Sequence, residues 1–193
     1  MKISDLTESS PENLVGSFSD DLVHSKAWLC NKLKQIQNKF NSPFSTITVL
    51  GSWYGNIGLF LDKENIEFDN LILLDIDENA LKIGANVLGN LDRYKILPLV
   101  RDANQHHYQD LPDQCVINTS TNDMPNNGWY DKIPGGTMVA LQARNKLQSV
   151  PVVTETLEDF DMLFPMQKVF IRDKHYLSDP TIDYFRFMKI GIK

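Results

Sequence analysis

A three-layer α/β sandwich, with a mostly parallel sheet at its centre, is the fold this sequence predicts. Apolar runs rich in β-branched residues recur seven times along the chain, and stretches with helical apolar spacing separate several of them. The last two runs lie too close together to admit a crossover helix, so they are expected to pair antiparallel. The expectation is thus a seven-stranded, Rossmann-like sheet that is parallel except for a C-terminal strand pair.

The opening twenty or so residues are polar and contain Pro11 and Gly16, which disfavours a long helix there. Asp20 or Asp21 can then cap a helix that carries Leu22, Trp28, Leu29, Leu33 and Ile36 on one broad apolar face. This helix is expected to pack on the sheet or to cover one edge of a ligand cleft, and Asn41-Ser42-Pro43 ends it. Strands are expected at about 46–50, 69–75, 94–98, 114–118, 136–142, 167–172 and 183–190. Between the second and third, Glu78 to Leu88 reads as a helix that Asp77 can cap; a further helix near 155–163 offers Leu157, Phe160 and Leu163. The polar connection before the final strand contains Asp179-Pro180. In that strand Phe185 and Phe187 are expected to pack inward, with Arg186 and Met188 opposite, where the arginine meets solvent or substrate. With no internal repeat or interdomain linker, residues 1–193 read as one domain, with 1–45 as an N-terminal helical cap region.

Composition narrows the function classes. The formal charge of -6, from 25 acidic and 19 basic residues, argues against strong nonspecific attraction to a polyanion. No apolar run approaches the roughly 20 residues that span a bilayer, and Met1–Glu8 lacks a secretory apolar core, so a soluble cytoplasmic protein without a membrane partner is expected. Cys30 and Cys115 read as core thiols, and the adjacent His106 and His107 have no neighbours at ligand spacing, so no metal site is expected. Arg172, Lys174, Arg186, Lys189 and Lys193 make the C-terminal end basic, either as solvated surface or as contacts to an anionic substrate.

The chemistry concentrates after the strands. Ile47 to Gly58 runs from a buried strand into a turn with Gly51 and Gly55, where backbone can approach a ligand closely; Trp53 and Tyr54 either wall that pocket or anchor the turn. Leu71 to Asp77 ends the second strand on acids. Asp75 is placed to accept bonds from two ribose hydroxyls, whereas Asp77 either faces the ligand or caps the next helix. After the third strand, Asp102 can accept from an adenine amino group and Ala103 can offer its amide, with helix capping as the structural alternative for Asp102. The glycine spacing departs from G-x-G-x-x-G, which weakens a nicotinamide or flavin assignment.

With Gly51 to Gly58, Asp75, Asp102 and Asn118 in this order over residues 22–193, and with the terminal Val169–Ile171 and Tyr184–Ile190 strands, the chain resembles the class I S-adenosylmethionine-dependent methyltransferases. The resemblance implies S-adenosylmethionine as cofactor, held by Gly51, Trp53, Gly55, Asp75, Asp77, Asp102, Ala103 and Asn118. It implies methyl transfer to an N or O nucleophile of a small molecule. Nucleic acid and protein acceptors stay open, although Asn118-Thr119-Ser120 differs from the Asn-Pro-Pro-Tyr pattern that accompanies methylation of nucleic-acid amines. Asn118 and Asp123 are the candidate catalytic residues, Asn118 orienting the methionine portion or an amine, and Asp123 accepting a proton or placing a hydroxyl or amine, or else stabilising the turn around Pro125 and Gly128. Thr119, Ser120, Gln142 and Asn145 are candidate acceptor contacts, Trp129 and Tyr130 either close over an acceptor or brace their loop, and Arg144 either binds an acid or stays solvated. A silent S-adenosylmethionine-binding or regulatory protein and a nicotinamide oxidoreductase are the alternatives.

Overall fold

The protein's structure is a computed structural model that describes residues 11–89, 91, 93–145, 150–178 and 183–193. The Met1–Glu8 stretch and the Asp179-Pro180 connection lie outside the described residues. In chain order the elements are α1 (Pro11–Gly16), α2 (Asp20–Phe40), β1 (Phe44–Leu50), α3 (Ile57–Lys63), β2 (Phe68–Asp75), α4 (Glu78–Leu88), β3 (Lys95–Val100), β4 (Gln114–Asn118), α5 (Gly128–Lys132), β5 (Met138–Arg144), α6 (Leu157–Leu163), β6 (Lys168–Ser178) and β7 (Asp183–Ile192).

The seven strands form one sheet in the order β3-β2-β1-β4-β5-β7-β6. The pairs β1 with β2, β1 with β4, β2 with β3 and β4 with β5 are parallel. β7 is antiparallel to both β5 and β6. The progression reverses direction between β1 and β4, and at such a point the loops leaving the strands splay apart into a ligand crevice.

Both faces of the sheet are covered, which is why its strands read as near-continuous apolar runs. On one face Leu29, Leu33, Ile57, Leu61, Leu81 and Leu88 of α2, α3 and α4 pack against Ile47, Leu71, Ile117 and Ile190. On the other, Trp129, Tyr130, Phe160 and Phe164 pack against Leu50, Val116, Leu141 and Phe187. α2 ends at Asn41, which takes the left-handed conformation with φ 49°, a role asparagine accepts more readily than most residues. α3 and α5 were not anticipated: at 7 and 5 residues they are short, and unlike the equally short α6 neither has a side-chain N-cap to mark its start.

The terminal strands differ from expectation in one respect that matters for the site. Arg186 does not face open solvent: α2 covers one face of β7 and the α6 side the other, leaving Arg186 at 5 % and Lys189 at 2 % exposure. Lys189 reaches Phe164 O at 2.9 Å and Asp161 at 2.8 Å, and Arg172 bridges Glu158 and Asp161. These two cations brace α6 against the hairpin, while Arg186 turns to the other face. The exposed edge falls to β6, which carries alternating charge and runs on to Ser178, beyond its anticipated end.

Cys30 and Cys115 are buried free thiols, pushed upward in pKa by burial. Among the described residues no helix is long and apolar enough to cross a membrane, and no group of three or more His, Cys, Asp or Glu residues is placed to hold a metal ion.

Candidate functional site

β1 hands the chain into a turn with three left-handed residues, Gly51 (φ 57°), Trp53 (φ 49°) and Gly55 (φ 62°). At Gly55 a Cβ would come within 2.6 Å of Leu73 Cδ1, and at Gly51 within 2.8 Å of Met124 Cε, a flexible side-chain end that can shift, so the left-handed conformation is the stronger reason for glycine at Gly51. Trp53 holds the same backbone conformation against its side chain, a strain that needs compensation. Its N–H donates to Asp75 Oδ2 at 2.7 Å, and Ser52 N–H donates to Leu74 O at 3.1 Å. The other carboxylate oxygen of Asp75 accepts the Asp77 N–H at 3.0 Å. Burial raises the Asp75 pKa, and the amides of Asp77, Trp53 and Ile76 offset only part of that rise.

The acids that follow divide their work. Asp77 Oδ1 accepts from Asn79 N and Ala80 N at 2.9 and 3.0 Å, the N-cap of α4, so the structure places it in its capping role. Val100 lies opposite Asp75 in the β2–β3 register, which puts Asp102 just beyond the neighbouring strand end. Asp102 Oδ1 accepts the Asn104 N–H at 2.8 Å and starts a 3₁₀ turn over Ala103–Gln105, in which Ala103 is buried.

After β4 a tight polar loop is fixed from inside. Asn118 is fully buried, its Oδ1 accepts the Ser120 N–H at 2.8 Å, and its Nδ2 has no partner among the described residues. Thr121 Oγ1 donates to Gln142 O at 2.8 Å; Asn122 donates to Val152 O and accepts the Arg144 N–H, both at 2.8 Å. With Thr121 and Asn122 anchored inward, Thr119, Ser120 and Asp123 are the members of this loop that line a cleft.

That cleft has a volume of about 500 Å³. Its remaining walls are Gly51, Ser52, Trp53 and Asn56 of the glycine turn, Ser19, Asp21, Leu22 and Lys26 around the start of α2, and Arg144 and Arg186 of β5 and β7. Asp21 is buried, yet hydrogen bonds from Ser19 Oγ and Tyr184 Oη, each 2.6 Å, outweigh desolvation and hold its pKa low. Burial raises the Asp123 pKa against the pull of Arg144 and Arg186; the residue stands open to solvent at the mouth, so water moderates that rise. A larger cavity of about 580 Å³ lies among the amino ends of β1, β4 and β5 and holds none of the anticipated site residues.

Of the anticipated cofactor contacts only Gly51 and Trp53 line this cleft, with Gly55, Asp75, Asp77, Asp102, Ala103 and Asn118 outside its lining, and four anticipated acceptor contacts are not brought to it either. Trp129 is fully buried against Phe164, and Tyr130 donates its hydroxyl to Pro165 O at 2.5 Å, so both brace the α5 face. Asn145 Oδ1 accepts the Phe185 N–H at 2.8 Å and ties β5 to β7. Gln142, fully buried, accepts from Ser25 Oγ at 2.8 Å and donates to Ser25 O at 3.0 Å, pinning α2 to the sheet. Replacing Gln142 with methionine is therefore expected to lower stability by about 1–3 kcal/mol, since it removes two buried hydrogen bonds and leaves the Ser25 hydroxyl proton unpaired, with Arg186 still donating to its oxygen. Urea denaturation measures this, and an unchanged midpoint would show that the clamp carries no weight.

Lys26 escaped the sequence reading. The signal was present: Ser25 and Lys26 interrupt the apolar stripe between Leu22 and Leu29, at positions that face the protein. Burial, together with Arg186 nearby, pushes the Lys26 ammonium from its ordinary 10.5 down to about 8. The unfolded chain keeps that proton up to the ordinary value, so between these two pKa values unfolding takes up a proton and stability rises with pH. Wild-type unfolding midpoints should climb relative to Lys26→Met across that window, and parallel curves would contradict the buried cation.

No protein-family model matches the chain, and no curated protein sequence matches it. Solved structures do match its fold. The N-methyltransferase NodS from Bradyrhizobium japonicum aligns with a TM-score of 0.62 at 11% identity, covering 84% of this chain and 94% of that one. An S-adenosylmethionine-dependent methyltransferase from Clostridium acetobutylicum gives 0.64 at 11% identity, covering 94% and 99%. Magnesium protoporphyrin IX methyltransferase from Synechocystis, solved with bound S-adenosylmethionine, gives 0.61 at 9% identity, covering 89% and 82%. Identities this low speak to architecture alone. The chain therefore has the three-layer fold of the class I S-adenosylmethionine-dependent methyltransferases.

Proposed function

We propose that the protein binds S-adenosylmethionine and transfers its methyl group to an N or O nucleophile of a small molecule. The observation that carries this reading is Asp75, a partly desolvated carboxylate at the carboxyl end of β2, held against the glycine turn at the sheet's switch point. The residues present fit the cofactor. Ser52 Oγ in the cleft wall and the nearby Asn118 Nδ2 are buried polar atoms without partners among the described residues. A ligand with hydrogen-bonding groups beside the turn would satisfy them. The antiparallel β7, set between β5 and β6, also departs from the all-parallel dinucleotide-binding order, which speaks against the nicotinamide alternative.

Bound there, the cofactor supplies a methyl group made electrophilic by its sulfonium. The chain's own residues then bind and align. Asp75 takes the ribose hydroxyls, Asp102 and the Ala103 amide take the adenine edge, and Gly51 with Gly55 lets backbone approach the cofactor's tail. Asn118 holds the loop that presents Thr119 and Ser120, and Asp123 receives or orients the proton of the attacking group. The start of α2 closes the side of the cleft and excludes water from the transfer path. Incubation with methyl-labelled cofactor and a broad metabolite mixture should yield a labelled product. Cofactor binding without label transfer would instead identify a silent binder.

A further inference from the structure

β5 and β7 set two arginines face to face. Arg144 and Arg186 are direct partners in the antiparallel register, a juxtaposition in which like charges weaken strand pairing. Arg186 is almost fully buried; its Nε donates to Ser25 Oγ at 2.9 Å, and its two Nη atoms make no hydrogen bond or ion pair with the described residues. Lys26, across the cleft on α2, likewise has no hydrogen-bond or ion-pair partner among them. The carboxylates in the same walls compensate the cations only from a distance: Asp21 and Asp123 attract Arg186, and Asp21 attracts Lys26, but neither forms an ion pair with them among the described residues. Asp21 is taken up by Ser19 and Tyr184, and Asp123 stands at the open mouth without an ion pair among the described residues. Three cations thus face two carboxylates around one cavity. A largely buried guanidinium without a paired counter-charge is unfavourable, and an oxyanion seated between the two arginines would relieve both the desolvation and the repulsion.

We propose that this pocket holds a carboxylate of the methyl acceptor, clamped by Arg144 and Arg186 with Lys26 alongside, so that the substrate is an acidic small molecule with its nucleophile directed toward Ser120 and Asp123. A single carboxylate matches the excess of one positive charge in the walls, whereas a phosphate dianion would meet Asp21 and Asp123 across the same space. The inference rests on the methyl-transfer reading. The cofactor's own methionyl carboxylate is the competing source of the anion.

The test is calorimetry at fixed ionic strength on the full chain, with and without saturating S-adenosylhomocysteine. The probes are matched acids and amides (benzoate and benzamide, phenylacetate and phenylacetamide, glutarate and glutaramide), with inorganic phosphate as a further probe. With S-adenosylhomocysteine bound, at least one acid should bind about tenfold more tightly than its amide. Arg186→Gln should abolish that preference. Because this buried variant can fail to fold, Arg144→Gln at the half-buried partner should also reduce the preference by at least about threefold. The proposal is overturned if no acid outbinds its amide, if the preference survives in every folded variant, or if phosphate binds more tightly than the acids. It is also overturned if acids bind only without S-adenosylhomocysteine and Arg144→Gln lowers S-adenosylhomocysteine affinity by about tenfold, since the cationic pair then holds the cofactor. If the wild-type chain does not bind S-adenosylhomocysteine at all, the methyl-transfer reading itself fails. An acid preference measured without it would then describe an anion pocket and not an acceptor site.

Discussion

Replacing Asp75 with alanine is expected to weaken S-adenosylhomocysteine binding by about 10- to 100-fold, because hydrogen bonds to a charged acceptor contribute roughly 1.5–3 kcal/mol each. The carboxylate has a second task, since it already accepts the Trp53 and Asp77 amides at 2.7 and 3.0 Å. The variant should therefore also lose about 1–3 kcal/mol of folding stability as those amides go unpaired. The two effects separate in a cycle with the 2′-deoxy analogue of the cofactor product. If Asp75 binds the ribose, removing the 2′-hydroxyl should weaken binding to the wild-type chain and have little further effect on the variant. Additive losses would show that Asp75 acts only by holding the turn at Trp53. Unchanged affinity in Asp75→Ala would remove the central contact of the proposed site.

Replacing Asp123 with asparagine should lower kcat for methyl transfer by about 100-fold, while S-adenosylhomocysteine affinity stays within about twofold. The expectation follows from position: Asp123 lies at the cleft mouth, on the loop that Asn118, Thr121 and Asn122 anchor from within. Partial burial lifts its carboxyl above the ordinary aspartate pKa against the pull of Arg144 and Arg186, a rise that its solvent exposure at the mouth moderates. Below that raised pKa the carboxyl is protonated and cannot accept a proton, so the wild-type rate should fall on the acidic side with a midpoint above the ordinary value. The asparagine variant should lack that limb. Equal losses in kcat and cofactor affinity would mean instead that Asp123 organises the loop.

Much of the architecture was legible because burial leaves a periodic record. The Leu71 to Asp75 run is apolar since both faces of β2 are covered, and the Glu78–Leu88 helix has a capping acid at Asp77 and an apolar face that includes Leu81 and Leu88. Where a short element also lacks a capping side chain, as in α3 and α5, the record vanishes, whereas the capped α6 of the same length as α3 stayed legible. The site was legible only where a residue type had a geometric duty at a strand end. Gly51 and Gly55 are needed for positive φ, and Asp75 is placed by the β2 terminus. Side chains that could serve either core or cleft were not separable in one dimension. Trp129 and Tyr130 precede β5, Gln142 lies near its carboxyl end and Asn145 follows it, just as contact residues do, yet each is spent on holding the frame together.

The sequence by itself determined the alternation of strands and helices, the antiparallel close and the acids at the strand ends, because these depend on spacing along the chain. Only the tertiary structure decided which polar groups share one space. Lys26 on α2, Arg144 on β5 and Arg186 on β7 are far apart in sequence, and pairing order brings them around one cleft. Their meaning lies in that juxtaposition, since a cation's free energy depends on which charges and how much water surround it, and neither is written in its neighbours along the chain.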